Sequence, residues 1–283
     1  MRIYGLDFTS APSPRKPITC ATAIRDDEGL FVERVERLAT LDAFDRWLAT
    51  PGPWVAGLDF PFGQPVALID ALGWGATWPE YVAHVAGLSF EAFAGAITAY
   101  RDSQPSGRKH RLRAVDHLAR SISPMMLHGV PVGRMFYQGA PRLLRAGVSV
   151  IPGQPSDDPR IVLETYPALA ARRWAGRVPY KSDDRRRQNS ARADARDAIL
   201  LGLLYHAEPV YGFRVEMPRK LAEFTLADPS GDTLDAILCA VQAAWAAEQP
   251  ACAIPPACDP REGWIADPAV NDQLTDDSRY DLV

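Results

Sequence analysis

The sequence predicts an α/β fold, a mixed sheet flanked by helices, and three observations carry the prediction. Short apolar runs at residues 2–7, 54–60 and 161–164 each deliver an acid, Asp7, Asp59 and Glu164, with a proline soon after it at Pro12, Pro61 and Pro167. Two further strand-like runs surround the turn Asp26-Asp27-Glu28-Gly29, the pattern of an antiparallel hairpin. Leu234, Ile237, Leu238, Val241 and Trp245 then recur at helical spacing and give one apolar face to residues 230–248. In an open α/β sheet the carboxyl ends of the strands form the crevice where ligands bind. Function is therefore expected where the strand-end acids lie.

The elements follow in order. Residues 2–7 read as a strand, 18–24 and 30–35 as the two arms of the hairpin, and 41–48 as a helix stopped by Pro51-Gly52-Pro53. The tetrapeptide Gly-Leu-Asp-Phe at residues 5–8 recurs at 57–60, at the end of the fourth strand. Residues 62–158 break the rhythm, with helical stretches at 65–72, 78–85, 90–99 and 113–120 separated by glycine and proline, and strand character returning only at 148–151. They read as a large, mostly helical insertion within one domain spanning 1–283. After the strand at 161–164 come helices at 168–174, 191–206 and 230–248, the last opened by Ser230-Gly231. Residues 262–265 are expected to add an edge element, and the polar, acidic segment from Asn271 to fray.

Composition narrows the class. Hydrophobic residues at 47% and charged residues at 23% are ordinary for a globular chain, and the net charge of -4 provides no global cationic field. Any contact with a polyanion must come from local patches. No apolar run reaches the roughly 18 residues a membrane helix needs, and no leader pattern opens the chain, so a cytoplasmic protein without a membrane partner is expected. Cys20, Cys239, Cys252 and Cys258 lack metal-ligand spacing and read as reduced thiols. His84, His110, His117, His128 and His206 show no ligand spacing either.

The acids form a constellation. Asp232 and Asp235 stand three apart in the first turn of the last helix, so both leave it on one side. Acids in a first turn are commonplace, because the helix N-terminus carries partial positive charge. Acids at the ends of buried strands are not, since an unpaired buried carboxylate is costly. Asp7, Asp59 and Glu164 together with Asp232 and Asp235 thus call for a counter-charge. Hard, oxygen-only ligands without histidine suit Mg2+ or Mn2+, and a carboxylate cluster can hold two such ions.

The order strand, hairpin, helix, acid-bearing parallel strand and late acid-bearing helix resembles the RNase H fold. Asp7, Asp59 and the pair Asp232 and Asp235 are similar in placement to the acids of Holliday-junction resolvases, and Glu164 adds a fifth acid to that pattern. The phrases Gly5-Leu6-Asp7-Phe8-Thr9-Ser10-Ala11, Leu58-Asp59-Phe60-Pro61-Phe62-Gly63, Glu164-Thr165-Tyr166-Pro167 and Gly231-Asp232-Thr233-Leu234-Asp235-Ala236 resemble domain-of-unknown-function family 429, described as predicted nucleases of RNase H fold. The resemblance implies a metal-dependent nuclease that hydrolyses phosphodiester bonds with two ions. Asp7 would bridge them, and Asp59, Asp232, Asp235 and Glu164 would complete their shells.

Two basic segments are candidates for contact with nucleic acid: Arg108, Lys109 and Arg111 in one, and Lys181, Arg185, Arg186 and Arg187 in the other. Such runs are more often solvated faces. Two other readings remain open. Gly5-Leu6-Asp7-Phe8-Thr9-Ser10 also resembles the first phosphate loop of actin-like and sugar-kinase phosphotransferases, although Phe60-Pro61-Phe62 stands where a second glycine-rich loop would follow. A non-catalytic binding module that keeps the acids for a structural ion is the other. ATP binding separates the first from a nuclease, and Mg2+ binding without turnover separates the second.

Overall fold

The apolar runs pair into a single sheet. In the computed structural model, which describes residues 1–107 and 109–276, the strands are β1 (Arg2–Asp7), β2 (Ile18–Asp26), β3 (Gly29–Leu38), β4 (Trp54–Leu58), β5 (Ser149–Ile151), β6 (Arg160–Glu164) and β7 (Val215–Glu216). They lie in the order β5-β6-β4-β1-β2-β3-β7. The first three pair antiparallel, whereas β4, β6 and β5 extend the sheet from β1 in parallel. The expected α/β class is present, as is the arrangement of strands behind the RNase H-like resemblance. Asp26 closes the hairpin by accepting from the backbone N–H groups of Glu28 and Gly29 at 3.0 and 3.3 Å.

The α-helices in chain order are α1 (Leu41–Leu48), α2 (Val66–Leu72), α3 (Trp78–Ala86), α4 (Phe90–Ser103), α5 (Ala114–Ala119), α6 (Val132–Ala146), α7 (Pro167–Ala175), α8 (Ser190–His206), α9 (Glu208–Tyr211), α10 (Arg219–Ala227), α11 (Asp232–Ala247) and α12 (Pro268–Asp276). Side-chain caps explain several starts. Thr40 accepts from the N–H of Ala43 at 3.0 Å, Ser89 from that of Ala92 at 3.2 Å, and Thr77 with Glu80 forms a capping box on α3.

Strand alternation sorts the core into two layers. Ile3 and Val55 belong with α7, α8 and α11 on one face, while Leu6, Phe8, Ala56, Leu58 and Phe60 face the aromatic-rich helices α1 to α4 and α6 on the other. Helix α11 lies on the centre of the sheet against β1, β2 and β4, buried from Thr233 to Ala246.

Residues 62–158 carry α2 to α6, together with β5 at the sheet edge. The expected helices there are present, and a fifth, α6, goes beyond expectation. Its Gly133, Gly139 and Pro141 read as breakers in the sequence. The structure uses the glycines for close approach: a Cβ on Gly139 would stand 2.4 Å from the Phe60 ring and one on Gly133 2.7 Å from the Pro124 carbonyl. The elements α9, β7 and α10 also lay outside the sequence expectation. Ile265 forms an isolated parallel bridge to Glu164, the small edge element expected at 262–265. Contrary to the expected fraying, Asn271 to Asp276 continue α12, while residues 277–283 lie outside the described part of the chain. All four cysteines are free. Among the described residues no single helix is long and apolar enough to cross a membrane.

Candidate metal centre

The repeated Gly-Leu-Asp-Phe has a geometric basis. Gly5 and Gly57 are partners across β1 and β4, and both lie beneath α11. A Cβ on Gly5 would stand 2.1 Å from the Ala236 carbonyl oxygen, and one on Gly57 2.4 Å from that of Cys239. Only glycine lets the helix backbone come so close to the sheet. Residues two apart on a strand share a face, so Asp7 and Asp59 follow the glycines on the side that α11 covers. The first turn of α11 brings Asp235 to the same place. Among the described residues, carboxylate oxygens of Asp7, Asp59 and Asp235 all lie within 4.8 Å of one another.

Asp235 is wholly buried, while Asp7 and Asp59 keep a partial opening to solvent. The Tyr180 hydroxyl donates to Asp235 Oδ1 at 2.6 Å, and Lys181 Nζ donates to Asp235 Oδ2. The lysine side chain as a whole remains 40% exposed while its ammonium pairs with Asp235. Burial pushes the Asp59 carboxyl up to about 7; Lys181 opposes the rise, and Asp235 and Glu164 add to it. Asp7 is raised well above the usual carboxylate range, again chiefly by burial, with Asp235, Asp232 and Asp59 adding repulsion that Lys181 offsets only in part. Burial would lower the Lys181 ammonium, but the surrounding Asp235, Tyr180, Asp7 and Asp59 raise it well above its ordinary value, so it stays charged.

Asp232 stands outside the tight trio. It is half-buried at the rim, with its carboxyl raised by burial first and then by Asp228 and Asp235 against Lys181. The start of α11 is held by Asp228, which the sequence does not single out. Its Oδ2 accepts from the Thr233 N–H at 3.1 Å and its Oδ1 from the Ser230 hydroxyl at 2.6 Å. Gly231 enters the helix at φ 76°.

Glu164 is placed differently from the expectation that it ligates metal. In the ladder it is the partner of Leu58, so it stands one residue short of Asp59 and shares a face with Val162, in the layer opposite α11. There both its oxygens are engaged. Arg113 Nη1 donates to Oε2 at 2.8 Å and Nη2 to Oε1 at 2.6 Å, and the Phe62 N–H adds a bond of 2.8 Å to Oε2. Arg113 also binds Asp116 through Nε and Nη2 at 3.0 and 2.9 Å and the Glu262 carbonyl through Nη1 at 2.8 Å. Its five N–H donors are thereby all used. This buried network ties the insertion to β6. The prolines already carried the signal: aligning Pro167 with Pro61 sets Thr165, not Glu164, opposite Asp59.

The basic segments divide likewise. Lys181 joins the acids directly. Arg186 and Arg187 are exposed in a single 3-10 turn just beyond it, with Arg187 Nε 3.7 Å from Asp184 Oδ2. Lys109 is exposed, and Arg111 Nη2 donates to Gln104 Oε1 at 3.3 Å. Arg108 lies outside the described residues, as does the side chain of Arg185.

No curated protein and no solved structure shows a significant match to the chain. A family profile does, and it spans all the residues of the acid cluster. It matches residues 5–259 and is described as protein of unknown function, DUF429; the chain belongs to that family.

Proposed function

We propose that the chain is a divalent-cation-dependent phosphodiesterase, a nuclease in its biological setting. One observation carries the reading: Asp7, Asp59 and Asp235, from two strand ends and a helix start, bring their oxygens within 4.8 Å of one another. With Asp232 beside them, four carboxylates are opposed chiefly by the Lys181 ammonium, and Lys16 acts in addition on Asp232. The remaining negative charge and the all-oxygen donor set fit Mg2+ or Mn2+. Asp7, Asp59 and Asp235 would hold the ion or ions, and the chemistry supplied is Lewis-acid stabilisation of charge on a phosphoryl group.

The chain's own residues have separable roles. Asp7 and Asp59 hang from the ends of central strands, so their separation is set by the sheet. Tyr180 orients the Asp235 carboxylate by its hydroxyl, and Lys181 holds a positive charge where a phosphate oxygen would approach. Arg186 and Arg187 lie a few residues beyond, available to phosphates farther along a strand. Hydrolysis forms one bond from water oxygen to phosphorus, breaks one ester bond, and leaves a phosphomonoester and an alcohol. The phosphotransferase alternative has less support, because Phe60, Pro61, Phe62 and Gly63 after Asp59 are all buried in packing and offer no open phosphate loop. A cytoplasmic setting belongs to the same proposal and accords with the four free cysteines.

The test is hydrolysis of bis(4-nitrophenyl) phosphate and of a mixed-sequence oligonucleotide, with Mn2+ or with EDTA. Wild type is expected to turn over only with the metal. Asp7→Asn is nearly isosteric but neutral, and should fall to background while melting no lower than wild type in EDTA. Full activity in Asp7→Asn, or equal activity in EDTA, overturns the reading.

A further inference from the structure

A cavity of about 300 Å3 opens beside the acids, and both Asp59 and Lys181 line it. Its other walls are largely apolar. Tyr166 brings an aromatic side chain from the segment after β6, Phe60 and Pro61 close the wall after β4, and the insertion supplies Ile122, Val130 and Met135. Ile122 and Val130 are 43% and 53% exposed, unusual for large apolar side chains. The insertion is held over the site by the Arg113 bridge to Glu164, so this wall keeps a fixed relation to Asp59. The larger hollow beside α4, about 380 Å3, lies away from the acid cluster and shares no residue with it.

We propose that this cavity receives one unpaired nucleobase of the substrate, next to the phosphodiester bond that is cut. The inference rests on the phosphodiesterase reading and adds the substrate class: single-stranded or locally opened nucleic acid, not continuous duplex. Three features select the occupant. The cavity is at the small end of the roughly 300–1,000 Å3 found for ligand sites, room for one planar group. Apolar and aromatic walls suit a base removed from its stack, whose faces are apolar and whose edge is polar. A cation, Lys181, and an acid of the proposed metal centre stand at its lining, where the phosphate attached to such a base would lie. In a duplex the base stays stacked and does not reach such a cavity without being extruded.

The experiment uses the full chain with Mn2+ and a fluorescein-labelled strand, in DNA and RNA form, either free or annealed into a blunt duplex. Wild type is expected to cut the free strand about tenfold faster or more, in line with the energy of base stacking on protein. Val130→Trp and Ile122→Trp, both at exposed positions, should fill the cavity and slow cleavage of the free strand by a similar factor. Unchanged melting temperatures show that they fold, and unchanged Mn2+ affinity by calorimetry shows that the acids are intact. Equal cleavage of duplex and free strand, or folded tryptophan variants at full rate, overturns the base pocket and leaves the phosphodiesterase standing. Absence of cleavage of any substrate by wild type overturns both.

Discussion

Replacing Asp59 by asparagine should stabilise the metal-free protein at alkaline pH. In the folded chain the Asp59 carboxyl is pushed up to about 7 by burial and by its acidic neighbours, from an ordinary value of 3.8. A raised carboxyl binds its proton more tightly in the folded state than in the unfolded one. The folded state is thus penalised as pH rises through about 7, and the penalty vanishes below about 4. At about 1.4 kcal/mol per pH unit, the interval sets an upper limit of about 4 kcal/mol. Residual solvent access and relaxation of the acids reduce this to about 2 kcal/mol, or a rise of about 4 °C in melting temperature for a chain of this size. The assay is thermal melting of wild type and Asp59→Asn in EDTA at pH 8 and pH 5. The gain should be present at pH 8 and shrink to less than half at pH 5, where the folded wild type already carries the proton. A variant that melts below wild type at pH 8 would show that the Asp59 carboxylate is a satisfied structural partner, and the electrostatic account of the cluster would fail.

Glu164→Ala should cost about 3 kcal/mol or more, because it strips a buried arginine of a bidentate partner. Urea unfolding reads the loss, and unchanged Mn2+ affinity in the same variant would separate this bracing role from metal ligation. Arg186→Ala combined with Arg187→Ala should weaken binding of an oligonucleotide and reduce the slope of log affinity against log salt by about 1 to 2. Identical slopes return that turn to an ordinary solvated surface.

Much of this arrangement was legible in the residues. The hairpin, the helix at Leu41–Leu48 and the buried helix α11 follow from periodicity and turn chemistry, because each is set by local pattern. Asp7 and Asp59 were recognisable because an acid ending an apolar strand is rare without a partner, and Asp235 only as one of a first-turn helical pair taken together with them. Glu164 has the same local appearance, but a ladder register one residue away turns it to the other face, and register is a tertiary property. Helix α6 was hidden by its glycines and proline, whose purpose becomes visible only against the Phe60 ring. Lys181 looked like one member of a basic run. No periodicity fixes the direction of a loop side chain, so its place among the acids emerges only from the fold.

Crystals soaked in Mn2+, with data collected at an energy where manganese scatters anomalously, would locate the ion itself. The predicted result is anomalous density bounded by Asp7, Asp59 and Asp235, with the Lys181 ammonium displaced from Asp235. No density at the trio at saturating Mn2+, with Lys181 still paired to Asp235, would contradict a metal centre there and the phosphodiesterase built on it.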